Sequence, residues 1–298
     1  MDGFSITPVD QPLRAPIVIL AFTGWSDTGT VTTDTAAHLV QTYGGTRFLE
    51  VDPEDYYVFT DVRPTVSIDE SGVRRLHWPE NRGDIVRTGT GEHDLVVIRG
   101  VEPNLRWRTF ATRLAEAIVP LQPFLVCTLV ARPAATPHTR PVPVTGSSAD
   151  PRLAARYGLG RSLYQGPTGI LGVIHDVLRG YRLDLISLAA GVPHYLSIDE
   201  NPPATLALVR ALEPILGFRV PEGDLPERAL AFIERVNEAS RGDDQVGTYV
   251  RTLEDQYEED DEDDEGAVDF EEPGDSELPS ADDILKDVED FLRGTGDR

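Results

Sequence analysis

The chain alternates between two hydrophobic periods, and this alternation constrains its fold more than any other feature. Short apolar runs at residues 15–22 (APIVILAF) and 124–130 (FLVCTLV) are typical of strands buried on both faces. Segments with helical spacing separate such runs; residues 107–119, for example, place Phe110, Leu114 and Ile118 on one stripe. Apolar strands that alternate with helices predict an α/β fold with a mostly parallel central sheet flanked by helices.

The same patterns locate the individual elements. Strands are expected at residues 15–22, 47–51, 95–98, 124–130 and 184–189, and helices at residues 30–43, 107–119, 169–178 and 203–216. Residues 56–87 alternate polar and apolar side chains around a turn, which predicts an antiparallel hairpin insertion. We assign residues 1–220 to a single α/β domain.

A different composition follows this domain. Residues 225–240 and 244–257 have helical spacing, so residues 221–257 are predicted to form a helical hairpin extension. Residues 258–279 are too acidic and too poor in apolar side chains to collapse, which predicts a disordered linker. Residues 280–294 then predict a short acidic helix with one apolar stripe, a candidate partner-binding surface made of Ile284, Leu285, Val288, Phe291 and Leu292.

Charge and cysteine content exclude several classes of function. The formal net charge is −24, and residues 254–298, with 21 acidic and three basic residues, hold −18 of it, which leaves −6 for the rest. Phosphate repels a chain this acidic, so nucleic acid is not an expected partner. A single cysteine excludes a disulfide framework and Cys-based zinc motifs. With no signal peptide and no apolar run long enough to span a membrane, the sequence predicts a cytoplasmic protein.

The loop at residues 24–30 (GWSDTGT) follows the first predicted strand and begins a helix. Gly24 and Gly29 have the separation of the P-loop glycines, but Thr30 stands where that motif has lysine, so no side chain is placed to bind the β- and γ-phosphates. Two interpretations remain open. Asp27 or Ser26 caps the helix after a tight turn, or Gly24, Asp27 and Gly29 belong to a ligand site.

Further candidates lie at the ends of other predicted strands. Arg99 and Arg132 each follow a strand and either hold an anion together or form surface ion pairs. Gly169 precedes a helix, where backbone N–H groups bind an anion or where glycine permits close packing. His194 is either a general base or a structural histidine paired with a carboxylate. No nucleophile, base and oxyanion donor come together, so the sequence predicts no catalytic residue, no metal site and no cofactor.

Four segments together resemble a known family: TGW after the first strand, DLVVIRGVEP (94–103), GPTGILGVIHD (166–176), and LISLAAGVPHYLSIDENPPATLALVRALEPIL (185–216). They are similar to the proteasome-assembly-chaperone family of the second-subunit type, over roughly residues 15–220. The loop ATPHTRPVPVTG resembles the actinobacterial branch.

This resemblance implies a phosphorylase- or hydrolase-like fold and a non-catalytic, protein-binding assembly scaffold. It also implies self-association into a homo-oligomer and contact with proteasome subunits, since eukaryotic members bind proteasome α-subunits. Residues 280–294 resemble the acidic helix through which the actinobacterial ubiquitin-like modifier engages the proteasomal ATPase, a second possible partner. The alternative function is a phosphorylase- or nucleosidase-like enzyme with an anion site at the carboxyl ends of the strands.

Overall fold

A computed structural model of the chain describes residues 3–69, 71–162, 164–196, 199–240 and 244–263. Within these ranges the chain forms ten β-strands and seven α-helices. The strands are β1 (Phe4–Ile6), β2 (Ile17–Thr23), β3 (Gly45–Val51), β4 (Thr65–Ile68), β5 (Arg74–His77), β6 (Asn81–Val86), β7 (Leu95–Val101), β8 (Leu125–Ala134), β9 (Val144–Ser147) and β10 (Leu185–Pro193). The helices are α1 (Val31–Tyr43), α2 (Trp107–Ile118), α3 (Pro151–Tyr157), α4 (Ile170–Gly180), α5 (Pro202–Leu216), α6 (Leu225–Ser240) and α7 (Asp244–Asp263).

Eight strands form one sheet in the order β1-β3-β6-β7-β2-β8-β10-β9. The four central strands, β7, β2, β8 and β10, are parallel, and the outer strands are antiparallel to their neighbours. The predicted α/β class and the parallel centre are therefore confirmed, within a sheet that is mixed at both sides.

Helices cover both faces of this sheet. The first face packs on α1 and α5, with Val31, Leu39, Leu208 and Leu212 in the core. The other face packs on α2 and α4, where buried residues include Phe110, Leu114, Ile170 and Ile174. The strands between the two layers bury both faces, as their continuous apolar runs predicted.

The region at residues 56–87 departs from the prediction. The expected hairpin exists as β4 and β5, but residues 81–86 leave it and form β6 between β3 and β7 in the main sheet. The sequence of β6, NRGDIV, does not show the apolar pattern of a buried strand, because Asn81 and Asp84 are polar yet buried. Gly83 is needed for close approach, since a Cβ there would lie 2.6 Å from Cε1 of Phe48.

The proline-rich stretch at residues 132–151 is more ordered than a long loop. Strand β8 continues to Ala134, and β9 pairs antiparallel with β10 at the edge of the sheet. The short helix α3, with Asp150 accepting a hydrogen bond from the N–H of Arg152, follows directly.

The two helices of the predicted extension are present as α6 and α7, and they enclose a separate apolar cluster with Tyr195 and Leu196. Helix α7 continues to Asp263, so the first residues of the predicted disordered linker, 258–263, are helical instead. Residues 264–279, the predicted helix at 280–294 and its candidate residues Ile284, Leu285, Val288, Phe291 and Leu292 lie outside the described residues.

Candidate functional site

The carboxyl ends of the four parallel strands meet at one edge of the sheet, the usual position of ligand sites in open α/β sheets. The loop that follows β2 crosses this edge before α1 begins. Gly24 and Gly29 both have positive φ angles, 113° and 63°, which favour glycine. The loop is also tied to the neighbouring strand, because the N–H of Ala131 donates to the carbonyl of Ser26 at 2.8 Å.

The carboxylate of Glu102, just after β7, occupies the space between two glycine-containing segments. Its Oε2 accepts a hydrogen bond from the N–H of Trp25 at 3.2 Å, and its Oε1 accepts one from the N–H of Ile170 at 2.6 Å. A Cβ atom on Gly24 would lie 2.9 Å from Oε2, and one on Gly169 would lie 2.8 Å from Oε1. The two glycines thus leave room for this carboxylate. We call this arrangement the Glu102 cradle.

The Glu102 cradle changes the meaning of two predicted site residues. Gly24 and Gly169 do flank a position where backbone N–H groups bind an anion, at the start of α4. The anion is the carboxylate of Glu102, a side chain of the protein itself and not an external ligand. The sequence analysis assigned no role to Glu102. The signal that could have found it is an acidic residue directly after a parallel strand, beside two glycine-containing loops.

Asp27 serves the start of α1. Its Oδ1 accepts a hydrogen bond from the N–H of Thr32 at 2.6 Å, and its Oδ2 accepts one from the hydroxyl of Thr33 at 2.6 Å. Burial raises the pKa of this carboxyl, against the opposing effect of these hydrogen bonds. The carbonyl of Gly29 accepts a hydrogen bond from the N–H of Asn201, which joins the loop to the start of α5. These contacts hold the loop in one conformation.

The two predicted anion-binding arginines point to opposite faces of the sheet. Side chains alternate along a strand, so Arg99 shares the face of Leu95 and Val97, which α1 and α5 cover. Arg132 shares the face of Val126 and Val130, which packs with α2 and α4. An anion held jointly by the two guanidinium groups at one site is therefore incompatible with this sheet.

His194 connects β10 to the helical extension. Its Nδ1–H donates to the carbonyl of Ala134 at 3.0 Å, and the hydroxyl of Tyr249 on α7 donates to its Nε2 at 2.8 Å. Both ring nitrogens are thus engaged in structural contacts, with a carbonyl and a tyrosine as partners instead of the expected carboxylate.

A second histidine, His138 in the proline-rich stretch, also connects the α/β domain to the helical extension. The hydroxyl of Tyr195 accepts the N–H of His138 at 2.8 Å and donates to its Nδ1 at 2.7 Å, while its Nε2–H donates to Oδ1 of Asn237 on α6 at 3.1 Å. Burial lowers the pKa of His138. Arg140 pairs with Glu254 and Glu258 of α7 at 3.1 and 2.6 Å. The proline-rich stretch therefore holds the helical extension against the α/β domain.

Replacing Tyr249 with phenylalanine is expected to lower the free energy of unfolding by about 1 kcal/mol, because the Nε2 of His194 loses its donor in a partly buried contact. Urea unfolding of the full chain measures this change. Tyr181→Phe is the matched control, since Tyr181 is 46% exposed. An equal loss in both variants would contradict the proposed role of this contact.

The described residues contain no helix with enough length and apolar character to cross a membrane. Over the same ranges, no group of three or more His, Cys, Asp or Glu side chains is arranged to hold a metal ion. Cys127 is buried in β8, and its burial raises the pKa of the thiol to about 12.

Two aromatic side chains stand out from the strand-end edge. Trp25 is 66% exposed although its own backbone N–H is bound in the Glu102 cradle, and Tyr164 is 56% exposed. The hydroxyl of Tyr164 donates to the carbonyl of Pro167 at 2.7 Å. Large aromatic groups on fixed backbone are typical of surfaces that bind other proteins.

The family model of the PAC2 family matches residues 21–240 of this chain. A PAC2 family protein from Streptomyces avermitilis is 42% identical with a TM-score of 0.71, and the match covers 79% of this chain and 99% of that one. A proteasome-assembly chaperone homologue from Mycobacterium tuberculosis is 40% identical with a TM-score of 0.70, covering 78% and 99% of the two chains.

A more distant structure shares the fold: an archaeal proteasome activator from Pyrococcus furiosus, 20% identical, with a TM-score of 0.62 and coverage of 80% and 99%. No protein with a curated description matches this sequence. The family model covers 220 of the 298 residues, from within β2 to the end of α6. Two similar structures are 42% and 40% identical over 99% of their own length. This chain is therefore a member of the PAC2 family.

Proposed function

We propose that this protein is a non-catalytic scaffold that binds proteasome subunits and assists their assembly, in the cytoplasm and as a homo-oligomer. The relative from Mycobacterium tuberculosis, at 40% identity, is a proteasome-assembly chaperone homologue. Family membership and this relative support a proteasome-related role for the present chain.

The exposed side chain of Trp25 is the observation on which the proposed contact rests. Its loop is held by Glu102, Asp27 and Asn201, so the indole is presented on a backbone that needs little ordering on binding. A preorganised aromatic group loses little conformational entropy when it enters a partner's pocket. We therefore place the contact with a proteasome subunit at Trp25.

Self-association has separate support from the β4–β5 hairpin. Within the described residues its two strands pair only with each other, and Val66, Ile68 and Leu76, which share one face in the antiparallel register, are all more than 40% exposed. A two-stranded hairpin is only marginally stable alone in water, and apolar side chains exposed together on one face are typical of contacts between proteins. A second copy of the chain is the partner that we propose for it.

The enzyme alternative has less support. A phosphorylase-like site would need an anion between the glycine-containing segments, where the carboxylate of Glu102 lies, or between Arg99 and Arg132, which face opposite ways. A protein-binding scaffold, in contrast, accounts for the exposed indole of Trp25 at the same edge of the sheet.

Trp25→Ala is expected to weaken binding to purified proteasome α-subunits of the same cell more than tenfold, about 2 kcal/mol, as for aromatic residues at the centre of an interface. Native mass spectrometry detects the complex and the number of subunits, and titration calorimetry gives the affinity. Leu230→Ala is the matched control, because Leu230 is 64% exposed on α6.

Two outcomes would count against this proposal. The wild-type chain forms no complex with the α-subunits, or Trp25→Ala binds as tightly as Leu230→Ala. A chain that ends at Asp263 extends the same assay to the acidic tail. Loss of the complex in that chain alone would move the contact from Trp25 to residues 264–298, including the predicted stripe with Ile284 and Phe291.

A further inference from the structure

Arg99, near the end of β7, is a half-buried arginine with an unusual environment. Among the described residues, its guanidinium forms no hydrogen bond and no ion pair, and its Nε–H is shielded from solvent. Buried polar atoms in proteins are nearly always hydrogen-bonded, and a guanidinium offers five donors in a fixed plane. An unsatisfied arginine of this kind indicates a place where a ligand supplies the acceptors.

The neighbouring strand adds to the unbalanced charge. Arg82 on β6 lies directly opposite Arg99 in the antiparallel register, so the two side chains share one face of the sheet. The guanidinium of Arg82 is neutralised by Glu80 at 3.0 Å and by Asp84 at 3.8 Å. Arg99 has no such compensation, and like charges on directly opposed residues destabilise a strand pair. A bound anion would relieve this repulsion.

Arg99 lines a cavity of about 330 Å³ at the carboxyl ends of β2 and β7, which we call the Arg99 groove. The hydroxyl-bearing residues Thr23 and Thr33 and the indole of Trp78 form part of its wall, together with the acidic residues Asp34 and Glu80. This size lies near the lower limit for small-ligand sites in proteins.

The charges of the Arg99 groove select among anions. The wall carries two guanidinium groups, Arg82 and Arg99, and two carboxylates, Glu80 and Asp34. Since Glu80 neutralises Arg82, Arg99 is left to balance one negative charge, and the carboxylate of Asp34 disfavours a doubly charged phosphate. The carboxylate of Asp34 would also accept a hydrogen bond from an N–H donor next to the bound anion. A carboxylate with adjacent N–H groups, as at the C-terminus of a peptide or in a free amino acid, fits both requirements.

We propose that the Arg99 groove binds a carboxylate carried by a peptide C-terminus or an amino acid, with Arg99 as the anchoring residue. The geometry favours bidentate pairing of the planar guanidinium with the planar carboxylate. This site is separate from the Glu102 cradle and from the protein contact proposed at Trp25, so either proposal stands if the other fails.

The test follows the Nε–Hε resonance of Arg99 in the ¹⁵N-labelled full chain, assigned by its loss in Arg99→Lys. The probes are sodium acetate, inorganic phosphate, and the tripeptide Gly-Gly-Leu with a free or an amidated C-terminus. We expect saturable shifts with acetate and with the free tripeptide, and none with the amide. Arg99→Lys should bind the free tripeptide at least about tenfold more weakly, because a lysine replaces the bidentate guanidinium. Arg152→Lys, whose guanidinium is exposed and paired with Asp150, should bind it normally.

The comparison among probes distinguishes the sources of the carboxylate. Tighter binding of the tripeptide than of acetate identifies a peptide end, and equal binding identifies a free small acid. Three results would overturn the proposal: no shift of the Arg99 resonance, equal shifts with the amidated tripeptide, or stronger binding of phosphate than of acetate. If Arg99→Lys does not fold, Arg99→Gln provides the assignment and serves as the second variant, and the titration itself is carried out on the wild type.

Discussion

Replacing Glu102 with alanine is expected to lower the free energy of unfolding by about 3 kcal/mol. The change removes the acceptor for two backbone N–H groups, those of Trp25 and Ile170, at the point where the loop after β2 meets the start of α4. Hydrogen bonds to a charged group contribute about 1.5–3 kcal/mol each, and part of that is recovered where water reaches the loop. Chemical denaturation of the full chain measures the difference. Glu116→Ala is the control, since Glu116 is exposed on α2 and pairs with Arg113 of the same helix.

The same variant tests whether the Glu102 cradle is an anion site that the chain itself fills. With the carboxylate gone, the N–H of Ile170 at the start of α4 and the N–H of Trp25 in the loop after β2 are both available to an external anion. Sodium sulfate should therefore raise the melting temperature of Glu102→Ala more than that of the wild type, beyond its general effect on protein stability. Equal increases in both proteins would contradict this interpretation, as would a Glu102→Ala variant that is as stable as Glu116→Ala.

The apolar runs in the sequence were sufficient to predict the central sheet. Residues 15–22 and 124–130 correspond to β2 and β8, parallel strands at the centre of the sheet. Their apolar runs are continuous because a strand covered by helices on both faces has apolar side chains on both. Strand β6 could not be predicted in this way. Its Asp84 and Asn81 are buried, and Asp84 is offset by Arg47 on β3, at 3.4 Å, a pairing that exists only once the sheet has formed.

The candidate site was harder to predict for a related reason. Glycines at positions 24 and 169 indicate that another group approaches the backbone closely there. The sequence does not show that this group is the carboxylate of Glu102, which lies 68 residues before Ile170. The opposed directions of Arg99 and Arg132 follow from strand alternation, yet only with the register between β7, β2 and β8 known. The partners of His194 come from β8 and α7, far away in sequence, so the sequence left a general base and a structural histidine both open and identified neither partner.

The stability of the protein is expected to fall as the pH drops from about 6.5 to about 4, and His175 on α4 supplies one defined part of this loss. The ring Nε2 of His175 lies 3.1 Å from the hydroxyl of Thr128 on β8, which is in turn 2.7 Å from the hydroxyl of Ser187 on β10. Burial lowers the pKa of this imidazole to about 4, with a smaller contribution from Arg179.

The sign follows from proton linkage. As the pH falls, His175 is protonated near pH 6.5 in the unfolded chain but only near pH 4 in the folded protein. Between these two values the unfolded state binds more protons, so a lower pH favours unfolding. His175 therefore contributes stability that is complete above about pH 6.5 and is lost below it, by up to about 3 kcal/mol. The lowered pKa of His138 acts in the same direction, whereas the raised pKa of Asp27 acts in the opposite one.

A difference measurement isolates His175 from these other groups. Urea unfolding of the wild type and of His175→Gln at several pH values between 4 and 7 should give curves that converge toward acid pH, because glutamine keeps a polar side chain but does not titrate. Parallel curves would contradict the assignment. Since α4 also carries the N–H of Ile170 that binds Glu102, hydrogen exchange at pH 4.5 should show earlier opening of α4 in the wild type than in His175→Gln. Acid and the removal of Glu102 would then act on the same helix, one at its core face and the other at its first turn.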